Sequence, residues 1–191
     1  ALEISEWFPN AKFIHLIRDP RDNYASLKSG WAERYQHQED SQRALLQSLI
    51  DRGGLGLRMA IDNAAVLGPE RYKVVRYEDL VKEPKRHMEE LAAFIGVSYD
   101  SMLETPSVNG VPWPGNNFDG LTFNALSDVN VGRWTERMEH WEACLVEGHL
   151  SDLMQHFGYE LSIDPADRVK ACAQHYKWFN FLARGEAGAA V

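Results

Sequence analysis

Arg18 and Ser26 stand where an apolar segment gives way to a helical one, within FIHLIRDPRDNYASLKSG at residues 13–30. An arginine guanidinium is a planar fork that suits a pair of phosphate oxygens. Helix N-termini also favour anions, because their first N–H groups have no partner inside the helix. The spacing therefore predicts a phosphate or sulfate site. It is equally compatible with an Arg18–Asp22 ion pair and a surface Ser26, so both interpretations stay open at this point.

The flanking elements would place these two side chains at the edge of a sheet. Residues 12–17 (KFIHLI) are almost continuously apolar, which predicts a parallel strand covered on both faces. Asp19 can cap a helix and Pro20 suits its first position, so we expect the helix to begin at one of them. Ser26 would then face a crevice, away from the three residues predicted to form the buried face: Tyr24, Leu27 and Trp31.

The rest of the chain alternates between strand and helix, which predicts an α/β fold with a parallel sheet. We expect one core domain over residues 1–162 and a C-terminal helix with a disordered small-residue tail over 163–191. The predicted elements are a helix over 41–67 with a break or kink at Gly53–Gly54, a strand over 72–80, a helix over 84–96, a loop over 104–130, and helices over 134–157 and 165–184.

Composition restricts the function classes. The chain has 191 residues and a net charge of −8, which argues against binding nucleic acid or an anionic membrane through a basic surface. An anionic ligand must therefore be held by local charges. Cys144 and Cys172 have no paired spacing, which argues against a disulfide scaffold or a zinc site and favours a reducing, cytoplasmic location. No apolar run is long enough for a membrane segment.

The segment FPNAKFIHLIRDPRDNYASL resembles the 3′-phosphate-binding segment of sulfotransferases that use 3′-phosphoadenosine 5′-phosphosulfate (PAPS). The resemblance is to the broad group of bacterial, carbohydrate and tyrosylprotein enzymes, and it assigns Arg18 and Ser26 to the 3′-phosphate. VVRYEDLVKEP resembles the family's next strand and places Tyr77 at the nucleotide. VNVGRWTERM resembles a late segment in which Arg133 would contact the nucleotide phosphates and Trp134 would pack nearby.

This resemblance implies a three-layer, P-loop-like α/β fold with a central parallel sheet. It also implies transfer of a sulfuryl group from PAPS to a hydroxyl or amine of a small-molecule, carbohydrate or peptide acceptor, without a metal. The family's phosphosulfate loop, G-x-x-[RK]-[ST]-G-[TS], does not occur in the 191 residues. We expect that loop, the first strand and the catalytic base to precede Ala1, and no catalytic residue is assigned.

Two other functions fit the same residues. A nucleotide kinase would require a P-loop and Mg²⁺, whereas a non-catalytic module would only bind a nucleotide. The loop from Thr105 to Asn130 is the expected acceptor-facing surface, although its aromatic residues could equally pack within the loop: Trp113, Phe118 and Phe123. We expect His15 to be a core histidine and Glu78 to have a structural role.

Overall fold

The computed structural model describes residues 1–35, 41–113, 115, 122–123 and 125–188, without the side chains of 31–35, 41 and 177–188. It is a mixed α/β structure built on a parallel strand pair. The elements are α1 (Leu2–Trp7), β1 (Phe13–Ile17), α2 (Pro20–Tyr35), α3 (Ser41–Leu67), β2 (Tyr72–Arg76), α4 (Tyr77–Lys82), α5 (Pro84–Ile95), a 3₁₀ turn (Ser101–Glu104), β3 (Ser107–Val108), β4 (Val111–Pro112), α6 (Trp134–Arg137), α7 (His140–His156) and α8 (Pro165–Gly188).

Strands β1 and β2 pair in parallel, with Phe13 opposite Tyr72 and Ile17 opposite Arg76. Helices α2 and α3 form the crossover between them, as parallel neighbours require. The two strands therefore end at the same edge of the sheet, and the residues that follow them become neighbours there. A short antiparallel pair, β3 and β4, lies within the segment that the sequence predicts to be a loop.

The prediction that β1 is covered on both faces is wrong for the described residues. Ile14 and Leu16 are 47% and 52% exposed, whereas Ile17 is buried. One face of this strand therefore has few neighbours in the described ranges. His15, predicted to be a core histidine, is only half-buried, but it has a structural partner because its Nδ1 and the Tyr72 hydroxyl are hydrogen-bonded at 2.5 Å.

Helix α2 begins at Pro20, and Asp19 caps it by accepting a hydrogen bond from the backbone N–H of Arg21 at 2.9 Å. Tyr24 is fully buried, as the apolar spacing predicts. Leu27, however, is 42% exposed, so its assignment to the buried face is wrong. The side chain of Trp31, the third predicted residue, lies outside the described part of the chain.

The second strand is shorter than predicted, because the chain turns into α4 at Tyr77 instead of continuing to residue 80. Glu78 explains the turn: it is 5% exposed and its carboxylate points inward. One of its oxygens accepts the N–H of Asp19 at 2.8 Å, and the other accepts the hydroxyl of Tyr159 at 3.0 Å. The predicted structural role of Glu78 is therefore confirmed, and Tyr77 begins a helix.

Helix α3 is continuous over Ser41–Leu67, so of the predicted break or kink at the paired glycines, the break is wrong. A Cβ added at Gly54 would lie 2.9 Å from Leu150 Cδ2 of α7. The glycine lets the two helices approach closely. Leu46 of α3 and Leu150 of α7 are buried in one hydrophobic cluster, and this burial offsets the low helix propensity of the glycine.

The C-terminal helices also differ from their predicted bounds. The helix predicted over 134–157 is divided into α6 and α7, because Glu139 forms a capping box with Glu142 that starts a new helix. Helix α8 runs to Gly188, so the prediction of disorder after residue 184 is wrong up to that point, and residues 189–191 lie outside the described chain. No described helix has the length and apolarity needed to cross a membrane.

Helices α2, α3 and α7 enclose the hydrophobic core, where a buried carboxylate joins them. Glu142 of α7 is fully buried. It accepts hydrogen bonds from the Tyr24 hydroxyl at 2.7 Å, from Lys28 Nζ at 2.9 Å and from the side-chain amide of Gln42. Because a buried carboxylate is costly unless its oxygens are paired, these bonds fix how the three helices pack.

Gly148→Ala should destabilise the packing of α8 on α7. A Cβ at Gly148 would lie 2.4 Å from Cys172 Sγ and 3.3 Å from the backbone oxygen of Arg168. Overpacking of this kind typically costs about 1–3 kcal/mol. Gly56→Ala is the matched control, because a Cβ there meets nothing within 4 Å and alanine favours a helix by about 1 kcal/mol. Urea unfolding that ranks the two variants in the opposite order would contradict this packing.

Candidate functional site

A cleft opens at the edge of the sheet where β1 and β2 end. It has a volume of about 440 Å³, and Arg18, Ser26 and Tyr77 all line it. Ligand pockets commonly have volumes of about 300–1,000 Å³, so the cleft is large enough for a small molecule. The structure thus brings three of the four predicted binding residues to one cavity, although they come from two separate segments of the chain.

Strand register places Arg18 beside Tyr77. Because Ile17 is opposite Arg76, the next residue of each segment reaches the same point of the sheet edge. The guanidinium carbon of Arg18 lies 4.8 Å from the centre of the Tyr77 ring, within the range of a cation–π contact. Burial raises the pKa of the Tyr77 hydroxyl, and the charge of Arg18 opposes that rise. Tyr77 is therefore a neutral hydrogen-bonding group at physiological pH.

The guanidinium of Arg18 has spare hydrogen-bonding capacity. Its Nη2 donates to the backbone oxygen of Asn130 at 3.1 Å. Its Nε is buried and has no hydrogen-bond partner among the described residues. A buried donor without a partner costs about 1–3 kcal/mol, and a ligand oxygen would remove that cost.

Asn130 links Arg133 to Arg18 through two hydrogen bonds. Arg133 Nη1 donates to the side-chain oxygen of Asn130 at 3.2 Å, and the backbone oxygen of the same asparagine accepts the bond from Arg18. Asn130 itself lines the cleft. Sequence reasoning did not single out Asn130, since neither its residue type nor its place at the end of a long loop indicates a role. Its neighbour Arg133 was identified only by resemblance.

The acidic residues around Arg18 are already paired. Asp19 accepts from Arg21 at 3.0 Å (Nε) and 2.6 Å (Nη2), and both side chains are buried. The carboxylate of Asp22 accepts backbone N–H groups of Gly132 and Trp134 instead of pairing with Arg18. Arg18 forms no ion pair with a described carboxylate, although its charge opposes the rise that burial causes in the pKa of Asp22, so its guanidinium can still pair with an anion in the cleft.

The N-terminus of α2 contributes less to an anion site than the sequence suggests. The N–H of Arg21 donates to the Asp19 side chain, and the N–H of Asn23 donates to the backbone oxygen of Asp19. Both groups are thus already used inside the protein. Trp134, expected near the nucleotide, packs on the guanidinium of Arg21, 4.3 Å from the ring centre. Among the described residues that line the cleft, the Arg18 side chain is therefore the main source of positive charge.

One wall of the cleft comes from the segment predicted to face the acceptor. Trp113 and Phe123 line the cavity, together with Pro106 and residues 125–127. Phe118, the third aromatic residue of that prediction, lies outside the described ranges. Two of the three aromatic residues are therefore in a position to contact a bound molecule, and their rings give this wall an apolar surface.

Comparison with known proteins identifies the family. The family described as "Sulfotransferase family" matches residues 1–101, more than half of the chain. Carbohydrate sulfotransferase 3 of Mus musculus is 26% identical over 170 residues, which cover 81% of this chain and 35% of that protein. Protein-tyrosine sulfotransferase 2 of Gallus gallus is 21% identical over 167 residues, which cover 85% of this chain and 44% of that protein. The chain thus spans less than half the length of these curated relatives.

Solved structures match the fold. The sulfotransferase domain from the curacin biosynthetic pathway superposes with a TM-score of 0.62 at 22% identity, covering 84% of this chain and 58% of that one. The sulfotransferase domain of the Synechococcus PCC 7002 olefin synthase gives a TM-score of 0.56, also at 22% identity, covering 80% of this chain and 50% of that one. The mixed α/β arrangement with its small parallel sheet is therefore that of sulfotransferase domains.

Proposed function

Because this chain belongs to the sulfotransferase family, we propose that its cleft binds the 3′-phosphate of PAPS as part of a sulfuryl-transferring enzyme. The observation that carries the proposal is the convergence of Arg18, Ser26 and Tyr77 on one cavity. A guanidinium with an unpartnered buried donor, a hydroxyl and an aromatic ring suit a phosphorylated nucleoside, because the polar groups meet the phosphate and the ring meets an apolar surface.

In this proposal Arg18 and Ser26 hold the 3′-phosphate, and Tyr77 and Arg133 contact the same nucleotide. Their contribution to the reaction is positioning, because a donor fixed in the cleft can be aligned with an acceptor for in-line transfer. The phosphosulfate loop, the first strand and the catalytic base would come from sequence outside these 191 residues. No proton-transfer step is assigned to a residue of this chain.

The acceptor side of the proposal rests on the aromatic wall. The relatives named above are a carbohydrate and a protein-tyrosine sulfotransferase, so their names give carbohydrate and protein tyrosine as the acceptors of similar proteins. Trp113 and Phe123 present flat apolar rings to the cleft. Such rings stack on sugars and phenols alike, so we propose a hydroxyl acceptor on a sugar, a peptide or a small molecule.

A competition titration tests the nucleotide specificity. Adenosine 3′,5′-bisphosphate should bind more tightly than adenosine 5′-monophosphate, because removing the 3′-phosphate leaves buried donors unpaired. The loss is about 1–3 kcal/mol for each donor, or about five- to 150-fold in the dissociation constant. Adenosine 2′,5′-bisphosphate is the matched control: it carries the same phosphates with one moved by a single carbon, and it should bind more weakly than the 3′,5′ isomer.

Mg·ATP, tested with and without a chelator, distinguishes the kinase alternative. A kinase site would prefer ATP in the presence of Mg²⁺. Equal affinity for the two bisphosphate isomers and the monophosphate, or a Mg²⁺-dependent preference for ATP, would contradict the proposed function. Preference for the 3′,5′-bisphosphate without a metal would support it.

A further inference from the structure

Asp22 is a buried carboxylate that the proposed function leaves without a role. It lies in the first turn of α2 and is 3% exposed. One of its oxygens accepts the backbone N–H of Gly132 at 2.6 Å, and the other accepts the N–H of Trp134 at 2.9 Å. These two bonds join the start of α2 to a segment more than one hundred residues further along the chain.

The segment that Asp22 holds has little regular structure of its own. Between residue 125 and the start of α6 at Trp134, the chain forms no helix or strand. Gly132 has φ +77°, a conformation that side-chain-bearing residues rarely adopt. The two N–H groups that Asp22 binds flank Arg133 on both sides. The carboxylate thus fixes the backbone from which the Arg133 side chain projects.

The same contacts connect Asp22 to the cleft. Arg133 donates to the side chain of Asn130, and the backbone oxygen of Asn130 accepts from Arg18. Arg18 lies two residues before the start of α2 and Asp22 lies in its first turn, where burial raises the pKa of Asp22 and the charge of Arg18 opposes that rise. The hydrogen bonds therefore lead from Asp22 through the turn at 130–134 to Arg18, and Asp22 links the helix to the turn.

A carboxylate near an anion site needs an explanation, because its charge repels the ligand. Burial also raises the pKa of the Asp22 carboxyl, and the two backbone N–H bonds oppose that rise. Burial and repulsion of the ligand thus both disfavour an ionised aspartate at this position. A fixed arrangement of the neighbouring arginines offsets them, since a site that is ordered before binding loses less entropy when the ligand arrives.

We propose that Asp22 is a positioning residue, which holds the turn at 130–134 so that Arg133 is preorganised beside Arg18 for the nucleotide phosphate. This inference rests on the proposed function, because it assumes that the cleft binds adenosine 3′,5′-bisphosphate. Asp22 acts through the backbone N–H groups of Gly132 and Trp134 and does not touch the ligand.

The direction in which Asp22→Asn changes the affinity for adenosine 3′,5′-bisphosphate shows whether Asp22 acts by positioning the turn or only through its charge. If Asp22 acted only through its charge, removing that charge would tighten binding of adenosine 3′,5′-bisphosphate. We expect weaker binding, by about tenfold, because an asparagine oxygen can replace only one of the two acceptors. Asp22→Glu keeps the charge but moves the carboxylate by one methylene, and it should also weaken binding. Calorimetry measures both, and unchanged or tighter binding in both variants would overturn the proposal.

A double-mutant cycle separates positioning from general loss of stability. Arg133→Ala should weaken binding about ten- to 150-fold in the wild-type background and much less in the Asp22→Asn background, because the arginine is then no longer held in place. Ser26→Ala is the control, since Ser26 projects from α2 and its effect should be equal in both backgrounds. Equal losses for Arg133→Ala in both backgrounds would overturn the proposal.

Amide hydrogen exchange, measured without ligand, tests the role of Asp22 independently of the proposed function. The Gly132 and Trp134 amides should exchange slowly in the wild-type protein without ligand and faster in Asp22→Asn or, if that variant does not fold, in Asp22→Glu. Fast exchange of these amides in the wild-type protein would overturn the inference and leave the nucleotide proposal standing. If the wild-type protein showed no preference for a 3′-phosphate, the proposed function would fail, and the inferred role of Asp22 would fail with it.

Discussion

Arg18→Ala should weaken the binding of adenosine 3′,5′-bisphosphate by about a hundredfold or more. A guanidinium can form two charge-assisted hydrogen bonds to one phosphate, and each such bond contributes about 1.5–3 kcal/mol. The Nε of Arg18 is buried without a partner among the described residues, so a ligand oxygen there replaces no existing hydrogen bond. Isothermal titration calorimetry on the folded variant measures the loss.

Two further variants show whether shape or charge is responsible. Arg18→Lys keeps the charge but loses the fork, so its affinity should lie between those of the wild type and Arg18→Ala. Lys12→Ala removes the same charge from an exposed residue at the other end of β1, where Lys12 bonds the backbone oxygen of Phe94. Its affinity should match the wild type. If Arg18→Ala and Lys12→Ala bound equally well, the assignment of Arg18 to the phosphate would be wrong.

The parts of the site with local sequence signals were predictable. Pro20 at the first helical position and Asp19 as a cap place the start of α2, and both features act within a few residues of each other. Arg18 follows the strand directly, so its place at the sheet edge follows from the same signals. These local signals predict where Arg18 and Ser26 lie on the fold, whereas their assignment to one phosphate came from the family resemblance, because the spacing alone also fitted an Arg18–Asp22 ion pair and a surface Ser26.

The contacts that complete the site depend on residues far apart in sequence. Glu78 ends β2 early because it bonds Asp19 and Tyr159, and neither partner is visible from the local pattern YKVVRYEDL. Asn130 joins two arginines through one backbone and one side-chain oxygen. Hydrophobic period and helix propensity carry no information about such polar links, so these residues could be found only in the folded structure.

The buried ion cluster at Glu147 was likewise invisible in the sequence. Glu147 is fully buried in α7 and accepts from Arg21 Nη1 at 2.7 Å, from the Ser162 N–H at 3.1 Å and from the Ile163 N–H at 2.9 Å. Burial raises the pKa of the Glu147 carboxyl, but the hydrogen bonds from Ile163, Ser162 and Arg21 outweigh it, and the pKa lies below its ordinary value. The cluster ties α2, α7 and the start of the 162–164 connection together.

Glu147→Ala should therefore lower the free energy of unfolding by about 3–5 kcal/mol, because the buried Nη1 of Arg21 and the N–H groups of Ser162 and Ile163 lose this acceptor. The depressed pKa also sets the pH dependence. The unfolded state binds the proton more readily than the folded state, so the stabilisation is present above a pH of about 4.3 and is lost as the pH falls through the folded-state pKa. Denaturant unfolding between pH 3 and pH 7 should show this slope in the wild type and a smaller one in Glu147→Ala.

Glu160→Ala is the matched control, because Glu160 is exposed and its removal should change stability by less than about 0.5 kcal/mol.

Comparison of Glu147→Ala with Arg18→Ala then distinguishes residues that stabilise the fold from residues that bind the nucleotide. Arg21 keeps its pairing with Asp19 when Glu147 is removed, so the folded fraction of Glu147→Ala should bind the nucleotide nearly as well as the wild type. Arg18→Ala should show the reverse, with a large loss of affinity and a small loss of stability. A Glu147→Ala protein as stable as Glu160→Ala would contradict the role of this ion cluster.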